Sequence, residues 1–281
     1  MVPGAGAFCF ARKHATVRQK GSSFMKDITV CTPNEGKALV IETRDCGRVA
    51  RYPIKTHVVM SNEDIFALMD RYVVGRVKSD DYVFISEKVI AICQGRAYDI
   101  DELKPRRLAR FLSRFVYQSP YGIGLGSPWT MELAIRDVGT VRILFAALCS
   151  AITKPFGRRG IFYKIAGMKA RAIDGPCDCT IPPYNHFAKM APAVPNQVAK
   201  EIAKHIGCSV VIIDANDLNV EVLGKSSRDI SDSFCRQAFH DNPLGQSAQS
   251  TPIAVVRRID CADRLPQCQQ NENATLKASR I

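Results

Sequence analysis

Two carboxylates follow directly on an apolar strand near residue 214. The segment SVVIIDANDLNVEVLG (209–224) runs from apolar residues into Asp214, Asn216 and Asp217 and then into a second apolar run. A carboxylate at the carboxyl end of a strand lies where open α/β sheets place their ligand sites. Such oxygens suit Mg²⁺ or Mn²⁺, whose other ligands are usually phosphate oxygens. An Asx-rich hairpin turn explains the same residues without a ligand, so both interpretations stay open here.

A second pair of carboxylates lies in the strongest breaker cluster of the chain. Residues 174–195 are rich in proline and read as a loop. Asp174 opens this loop, and Asp178 follows four residues later. If the loop folds over the strand ends, three or four carboxylates converge there, and we take Asp174, Asp214 and Asp217 as candidate metal ligands.

Two basic side chains accompany these carboxylates. Lys88 lies in the middle of YVFISEKVIAI (82–92), which we interpret as one long strand closed by the turn at Gly95 and Arg96. A lysine inside a strand is costly if it is buried without a partner, so Lys88 either faces solvent or binds an anion. Arg96 after a glycine suits a phosphate or a carboxylate.

The remaining pattern places these residues on a mixture of strands and helices, which is typical of an α/β or mixed α+β fold. Ser61 is expected to cap a helix, with Asp64 three residues on. We expect strands at 38–41, 82–92, 208–214, 219–223 and 252–256, and helices at 61–72, 104–116, 130–152 and 196–207. Residues 26–257 form the expected domain, between a disordered or mis-assigned extension (1–25) and a disordered tail (258–281).

Composition narrows the classes of partner. The formal net charge is +12, which favours an anionic ligand. Nucleic acid is a poor match because basic stripes with interleaved aromatic residues are missing from the sequence. The eleven cysteines form no CxxC pair, which indicates a reduced cytoplasmic protein with incidental buried thiols. The longest apolar run, 141–152, is too short to span a bilayer and contains Arg142, so no membrane partner is expected.

One stretch also resembles a known family. The segment YPIKTHVVMSNEDIFALMDRYVVGRVKSDDYVFISEKVIAICQGR (52–96) is similar to the N-terminal half of the coenzyme F420-0:gamma-glutamyl ligases. The likeness rests on a strand ending in PIKTH, an acidic helix start at NEDI, a DD turn before a strand with a central lysine, and a glycine–arginine turn. A partial match over 162–257 aligns Asp174 and Asp214 with the two metal-binding aspartates of that family.

The resemblance implies a fold and a reaction. It implies a mixed α/β fold of the F420-ligase type, a homodimer, and a GTP- and metal-dependent ligase that joins L-glutamate to a carboxylate acceptor through an acyl phosphate. Mg²⁺ or Mn²⁺ would be held by Asp174, Asp214 and Asp217. Lys88 and Arg96 would act in catalysis, and they would hold the phosphate oxygens together with Gly95 and Arg158.

The chain departs from the family pattern at both aspartates. GPCDC (175–179) replaces the serine–asparagine pair that the family has after its first metal aspartate, and ANDLN (215–219) replaces a glycine–arginine–proline turn. These changes make the chain a divergent member of the family, so the nucleotide (GTP or ATP) and the acceptor stay open. The alternative is a non-catalytic protein that binds an anionic metabolite on the same fold.

Overall fold

The computed structural model describes residues 28, 31–116, 124–158, 160–178, 180–216, 219–245 and 248–259. Its mixture of strands and helices confirms the expected mixed α+β class. The strands are β1 (Val40–Thr43), β2 (Gly47–Ile54), β3 (Tyr82–Ser86), β4 (Ala97–Asp99), β5 (Phe187–Lys189), β6 (Ser209–Ala215), β7 (Val220–Lys225) and β8 (Ile253–Arg258). The helices are α1 (Ile65–Tyr72), α2 (Glu87–Cys93), α3 (Arg107–Ser113), α4 (Pro128–Val138), α5 (Thr140–Thr153), α6 (Ile161–Ala166), α7 (Met168–Arg171), α8 (Pro195–Ile206) and α9 (Asp232–Phe239).

Six strands form one mixed sheet in the order β1-β2-β8-β3-β6-β7. Its central pair, β3 and β6, is parallel, whereas β8 runs antiparallel to both β2 and β3, and β7 runs antiparallel to β6. A parallel pair needs a long crossover, and the chain from α2 to α8 supplies it. The register pairs Ser86 with Ile213, so both strands end at the same edge of the sheet.

Successive side chains of a strand point to opposite faces of the sheet. Apolar residues lie on both faces here, and both faces are covered. Val83 and Ile85 belong to a core shared with α1, α2 and α8, while Phe84 points to a second core that it shares with α9. Stacking of Phe84 on Phe239, with ring centroids 4.3 Å apart, ties α9 to the sheet. A third core is built mainly by α3 to α7 and includes Ala188 of β5.

The long strand expected over 82–92 is wrong. β3 ends at Ser86, and residues Glu87–Cys93 form α2, so Lys88 lies in the first turn of a helix rather than inside a strand. Val89 to Cys93 are all buried, and a short, continuously apolar run does not distinguish a buried strand from a buried helix. Glu87 in the first turn suits the positive end of the helix dipole.

Several helix boundaries differ from expectation. α1 begins at Ile65, four residues later than Ser61, because the carboxylate of Asp64 accepts the N–H of Phe66 and caps the helix. The expected helix over 104–116 covers Arg107–Ser113 only, with its proline before the first turn. The expected helix over 130–152 is two helices, α4 and α5, separated at Gly139, whose φ of 98° interrupts the helical backbone.

Other expectations are confirmed. α8 ends at Gly207, which adopts the left-handed conformation of a helix C-cap. The strands expected at 38–41, 208–214, 219–223 and 252–256 correspond to β1, β6, β7 and β8. Cys93, Cys208 and Cys235 are buried thiols, but Cys177 forms a disulfide, so the expectation of reduced thiols is wrong at that position. Within the described ranges, no helix has both the length and the apolarity to cross a membrane.

Candidate active site at the shared edge of β3 and β6

The parallel register of β3 and β6 brings charged residues together at one edge of the sheet. Glu87 and Lys88 follow β3 directly, and Asp214 lies one residue beyond the Ser86–Ile213 pair at the end of β6. Asp214 is far from Glu87 and Lys88 in the chain, so the pairing of β3 with β6, rather than the local sequence, creates the cluster. This edge is the place where open α/β sheets commonly bind ligands.

A loop after α7 adds Asp174 to the cluster. Its backbone forms a two-way bridge to β5: the N–H of Asp174 donates to the carbonyl of Lys189 at 3.0 Å, and the N–H of Lys189 donates to the carbonyl of Asp174 at 2.8 Å. The carboxylate of Asp174 then lies 2.9 Å from Nζ of Lys88. The start of the proline-rich loop therefore brings Asp174 close to the strand ends.

Lys88 is the positive centre of this cluster. Its side chain is half exposed, and the charge of Asp174 raises its pKa, against the opposing effect of burial. The charges of Glu87 and Asp214 raise the pKa of Lys88 further. Lys88 is therefore a permanent ammonium at neutral pH, close to three carboxyl groups.

Two of these carboxyl groups hold protons more tightly than ordinary acids. Burial raises the pKa of Asp214 to about 6; Lys88 opposes this shift, and the charges of Asp174 and Glu221 add to it. Burial, followed by the charges of Asp214 and Asp174, raises the pKa of Glu87 well above its usual range. Oε2 of Glu87 is buried without a hydrogen-bond partner among the described residues. Perturbed acids grouped in this way are typical of functional sites.

A second lysine, Lys189, lies near this cluster. The sequence analysis did not identify it. Lys189 is 3 % exposed, and its Nζ donates to the carbonyl of Tyr184 at 3.3 Å. Burial lowers its pKa to about 8, and the nearby charge of Lys88 adds to that effect. The signal for Lys189 was weak because β5 is only three residues long and follows a proline-rich segment.

The cluster opens into a cavity of about 200 Å³. His57 lies at this cavity and is fixed on both sides: its Nδ1 is 2.8 Å from the hydroxyl of Tyr72, and its Nε2 is 2.8 Å from a carboxylate oxygen of Glu63. The cavity is lined by Thr56, His57, Val58, Val59, Ser86, Lys88, Val89, Ile92, Thr180, Ile181, Tyr184, Lys189, Asp214, Ala215, Leu244, Gly245, Ser250, Thr251 and Pro252.

The Asx-rich turn also exists. The side-chain oxygen of Asn216 accepts the N–H of Asn219 at 2.9 Å, and the N–H of Asn216 donates to the carbonyl of Asn219 at 3.0 Å. Asp214 is not part of this turn, because it is paired with Glu221 inside the β6–β7 ladder. Asp217 lies outside the described residues. A turn closed by Asn216 and Asn219 thus joins β6 to β7, and Asp214 is left available to the cluster.

Gly95 and Arg96 are held by other parts of the protein. Arg96 forms an ion pair with Asp137 at 2.8 Å and donates from Nε to the carbonyl of Ala191 at 2.6 Å. Gly95 has φ +65°, and a Cβ there would lie 2.4 Å from the side-chain oxygen of Asn62. Neither residue lines the cavity, and both have a structural explanation.

Arg158 follows the 3₁₀ helix Lys154–Phe156 and is exposed. It does not line the cavity either. The described part of the chain contains no group of three or more His, Cys, Asp or Glu side chains that could hold a metal ion by themselves. The cluster thus contains three of the site residues predicted from the sequence: Lys88, Asp174 and Asp214.

Comparison with known proteins gives no assignment: no protein-family model matches the chain, and no curated protein matches it. The site must therefore be interpreted from its own chemistry.

Proposed function

We propose that the cavity is the active site of a nucleotide- and metal-dependent acid–amino acid ligase with an F420-ligase-like fold. The observation that carries this proposal is the ion pair of Asp174 with Lys88 beside the cavity, together with the electrostatic interaction of both residues with Asp214. These two aspartates are the ones that the resemblance to the coenzyme F420-0:gamma-glutamyl ligases marks as metal ligands, and they come from separate segments of the chain.

The residues fit a hard divalent cation. Asp174 and Asp214 offer only oxygen ligands, and Mg²⁺ is commonly bound by one or two carboxylates together with substrate phosphates. Burial raises the pKa of Asp214, the negative charge of Asp174 adds to that shift, and a cation would relieve the repulsion between the two carboxylates. When bound, Mg²⁺ or Mn²⁺ would neutralise phosphate charge.

The side chains of the protein have defined tasks in this reaction. The acceptor carboxylate attacks the γ-phosphorus of GTP or ATP. The bond between the γ-phosphorus and the bridging oxygen breaks, GDP or ADP leaves, and an acyl phosphate forms. The amine of L-glutamate then attacks the acyl carbon, inorganic phosphate leaves, and the new amide loses a proton. Lys88 is positively charged at neutral pH and pairs with Asp174. If Asp174 held the metal ion instead, the ammonium of Lys88 would be free to stabilise the charged phosphoryl oxygens.

The size of the cavity limits what it encloses. At about 200 Å³ it is smaller than the ~300–1,000 Å³ of typical sites for drug-sized ligands. In this proposal the nucleotide base and ribose bind outside the cavity, and its interior takes the smaller substrate. The homodimer implied by the resemblance belongs to the same proposal.

A second candidate is a non-catalytic protein that binds an anionic metabolite. It is favoured by the ion pair between Lys88 and Asp174, which satisfies both charges without a metal ion.

One experiment separates the two candidates. Phosphate release from GTP and from ATP is measured with Mn²⁺, L-glutamate and a panel of carboxylates, and the amide product is identified by mass spectrometry. We expect Asp174→Asn and Asp214→Asn to abolish release, while the control Asp178→Asn, at an exposed position, leaves it unchanged. Turnover that survives both substitutions contradicts the ligase proposal, and ligand binding without turnover supports the second candidate.

A further inference from the structure

The ammonium of Lys189 is buried with few partners. The residue is 3 % exposed, and among the described residues Nζ has one hydrogen-bond acceptor, the carbonyl of Tyr184, at a long 3.3 Å. Within the described residues, no carboxylate lies close enough to Nζ to form an ion pair. A buried ammonium without an ion partner is costly, so a stable protein is expected to keep one only where an anion arrives.

The backbone fixes this side chain at the cavity. Lys189 pairs with Ala97 in the β4–β5 ladder and bridges to Asp174 on its other side. Two backbone partners therefore hold its Cα in place, and its side chain contributes to the cavity wall. The backbone from which the ammonium extends is thus in place before any ligand binds.

The rest of the cavity wall is largely apolar or hydroxylated. Apolar side chains form much of it: Val58, Val59, Val89, Ile92, Ile181 and Leu244. Residues with hydroxyl side chains form much of the remaining wall: Thr56, Ser86, Thr180, Ser250 and Thr251. The charged Lys88 and Asp214 line the cavity as well. A compact ligand with one anionic end and an apolar body matches such a wall, whereas a nucleotide does not match its volume.

We propose that this cavity binds a small monocarboxylic acid, with its carboxylate on Nζ of Lys189 and its carbon body against the apolar wall. The inference deepens the proposed function and rests on it for its catalytic meaning, because the bound acid is then the acceptor that the ligase activates. Binding of the acid itself requires neither metal nor nucleotide.

The test is a calorimetric titration of the full chain in EDTA, without nucleotide. The probes are acetate, butyrate and isovalerate, with isovaleramide as the neutral match of isovalerate and inorganic phosphate as the competing anion. We expect saturable binding of butyrate or isovalerate, at least tenfold weaker binding of isovaleramide, and weaker binding of phosphate. This comparison uses the wild-type protein and does not depend on how a variant folds.

Variants then assign the contact to Lys189. We expect Lys189→Met to weaken binding of the acid at least tenfold, with Lys189→Gln as a second uncharged variant and Lys204→Met, at an exposed lysine of α8, as the unchanged control. Thermal unfolding checks the variants, and Lys189→Met should be at least as stable as the wild type because it removes a buried charge.

Several results would overturn the inference. It is wrong if no acid of the panel binds, if isovaleramide binds as tightly as isovalerate, if phosphate binds more tightly than every acid, or if Lys189→Met binds like the wild type. Its failure is distinguishable from failure of the ligase proposal, because the titration contains no metal or nucleotide. Intact acid binding without nucleotide turnover would overturn the ligase proposal alone.

Discussion

Replacing Asp214 by asparagine is expected to stabilise the protein at neutral pH. The carboxyl group has a pKa of about 6 in the folded protein, against an ordinary value of 3.8. The folded state therefore binds this proton more tightly than the unfolded state does. Stability falls as the pH rises between those two values, and the full penalty of the buried charge is present above pH 6.

The size of the effect follows from the shift. A difference of two pKa units corresponds to about 3 kcal/mol. Asp214 is partly exposed, and solvent screens part of this penalty, so we expect Asp214→Asn to gain about 1–2 kcal/mol at pH 7.5. For a chain of this size that gain raises Tm by about 2–8 °C.

Urea unfolding at pH 4 and at pH 7.5 measures this difference. The variant and the wild type should nearly coincide at pH 4, where Asp214 is largely protonated, and separate at pH 7.5. Asp178→Asn serves as the control, because Asp178 is exposed and should show no such separation. If the Asp214→Asn protein is equally stable or less stable than the wild type at pH 7.5, the conclusion that the buried charge of Asp214 destabilises the protein is refuted.

Two further substitutions test the structural roles assigned to residues beside the site. Gly95→Ala should cost about 2–4 kcal/mol, because it adds a Cβ 2.4 Å from Asn62 at φ +65°, whereas Gly36→Ala, with φ +70° and open space, should cost only about 1 kcal/mol by urea unfolding. Arg96→Met should cost about 3 kcal/mol because it leaves the largely buried Asp137 with only the more distant Lys169, at 3.9 Å. Adding Asp137→Asn should recover much of that loss, and a loss that persists would place the role of Arg96 elsewhere.

Local patterns predicted the regular elements better than they predicted the site. α8 and the β6–β7 hairpin followed from helical periodicity, a glycine stop and two apolar runs around polar turn residues. α2 was missed because Val89–Cys93 is buried throughout, so neither the helical nor the strand period is visible.

The cluster depends on contacts that local sequence does not encode. Asp214 was identifiable as a carboxylate at a strand end, but its proximity to Lys88 follows from a parallel pairing across a long crossover. Lys189 was hidden in a three-residue strand, and Arg96 was misassigned because its partner, Asp137, lies on a helix 41 residues away. Residue type alone indicated which side chains carry charge, and the tertiary pairing decided which of them lie close together.

The most direct test is a thermal-shift titration with GTP and with ATP, each with and without Mn²⁺, on the wild type and on Asp174→Asn/Asp214→Asn. If these aspartates hold a metal–nucleotide complex, one nucleotide raises the Tm of the wild type only when Mn²⁺ is present, and the double variant shows no such rise. No rise with either nucleotide, or an equal rise in the double variant, would contradict a metal-dependent nucleotide site at the shared edge of β3 and β6.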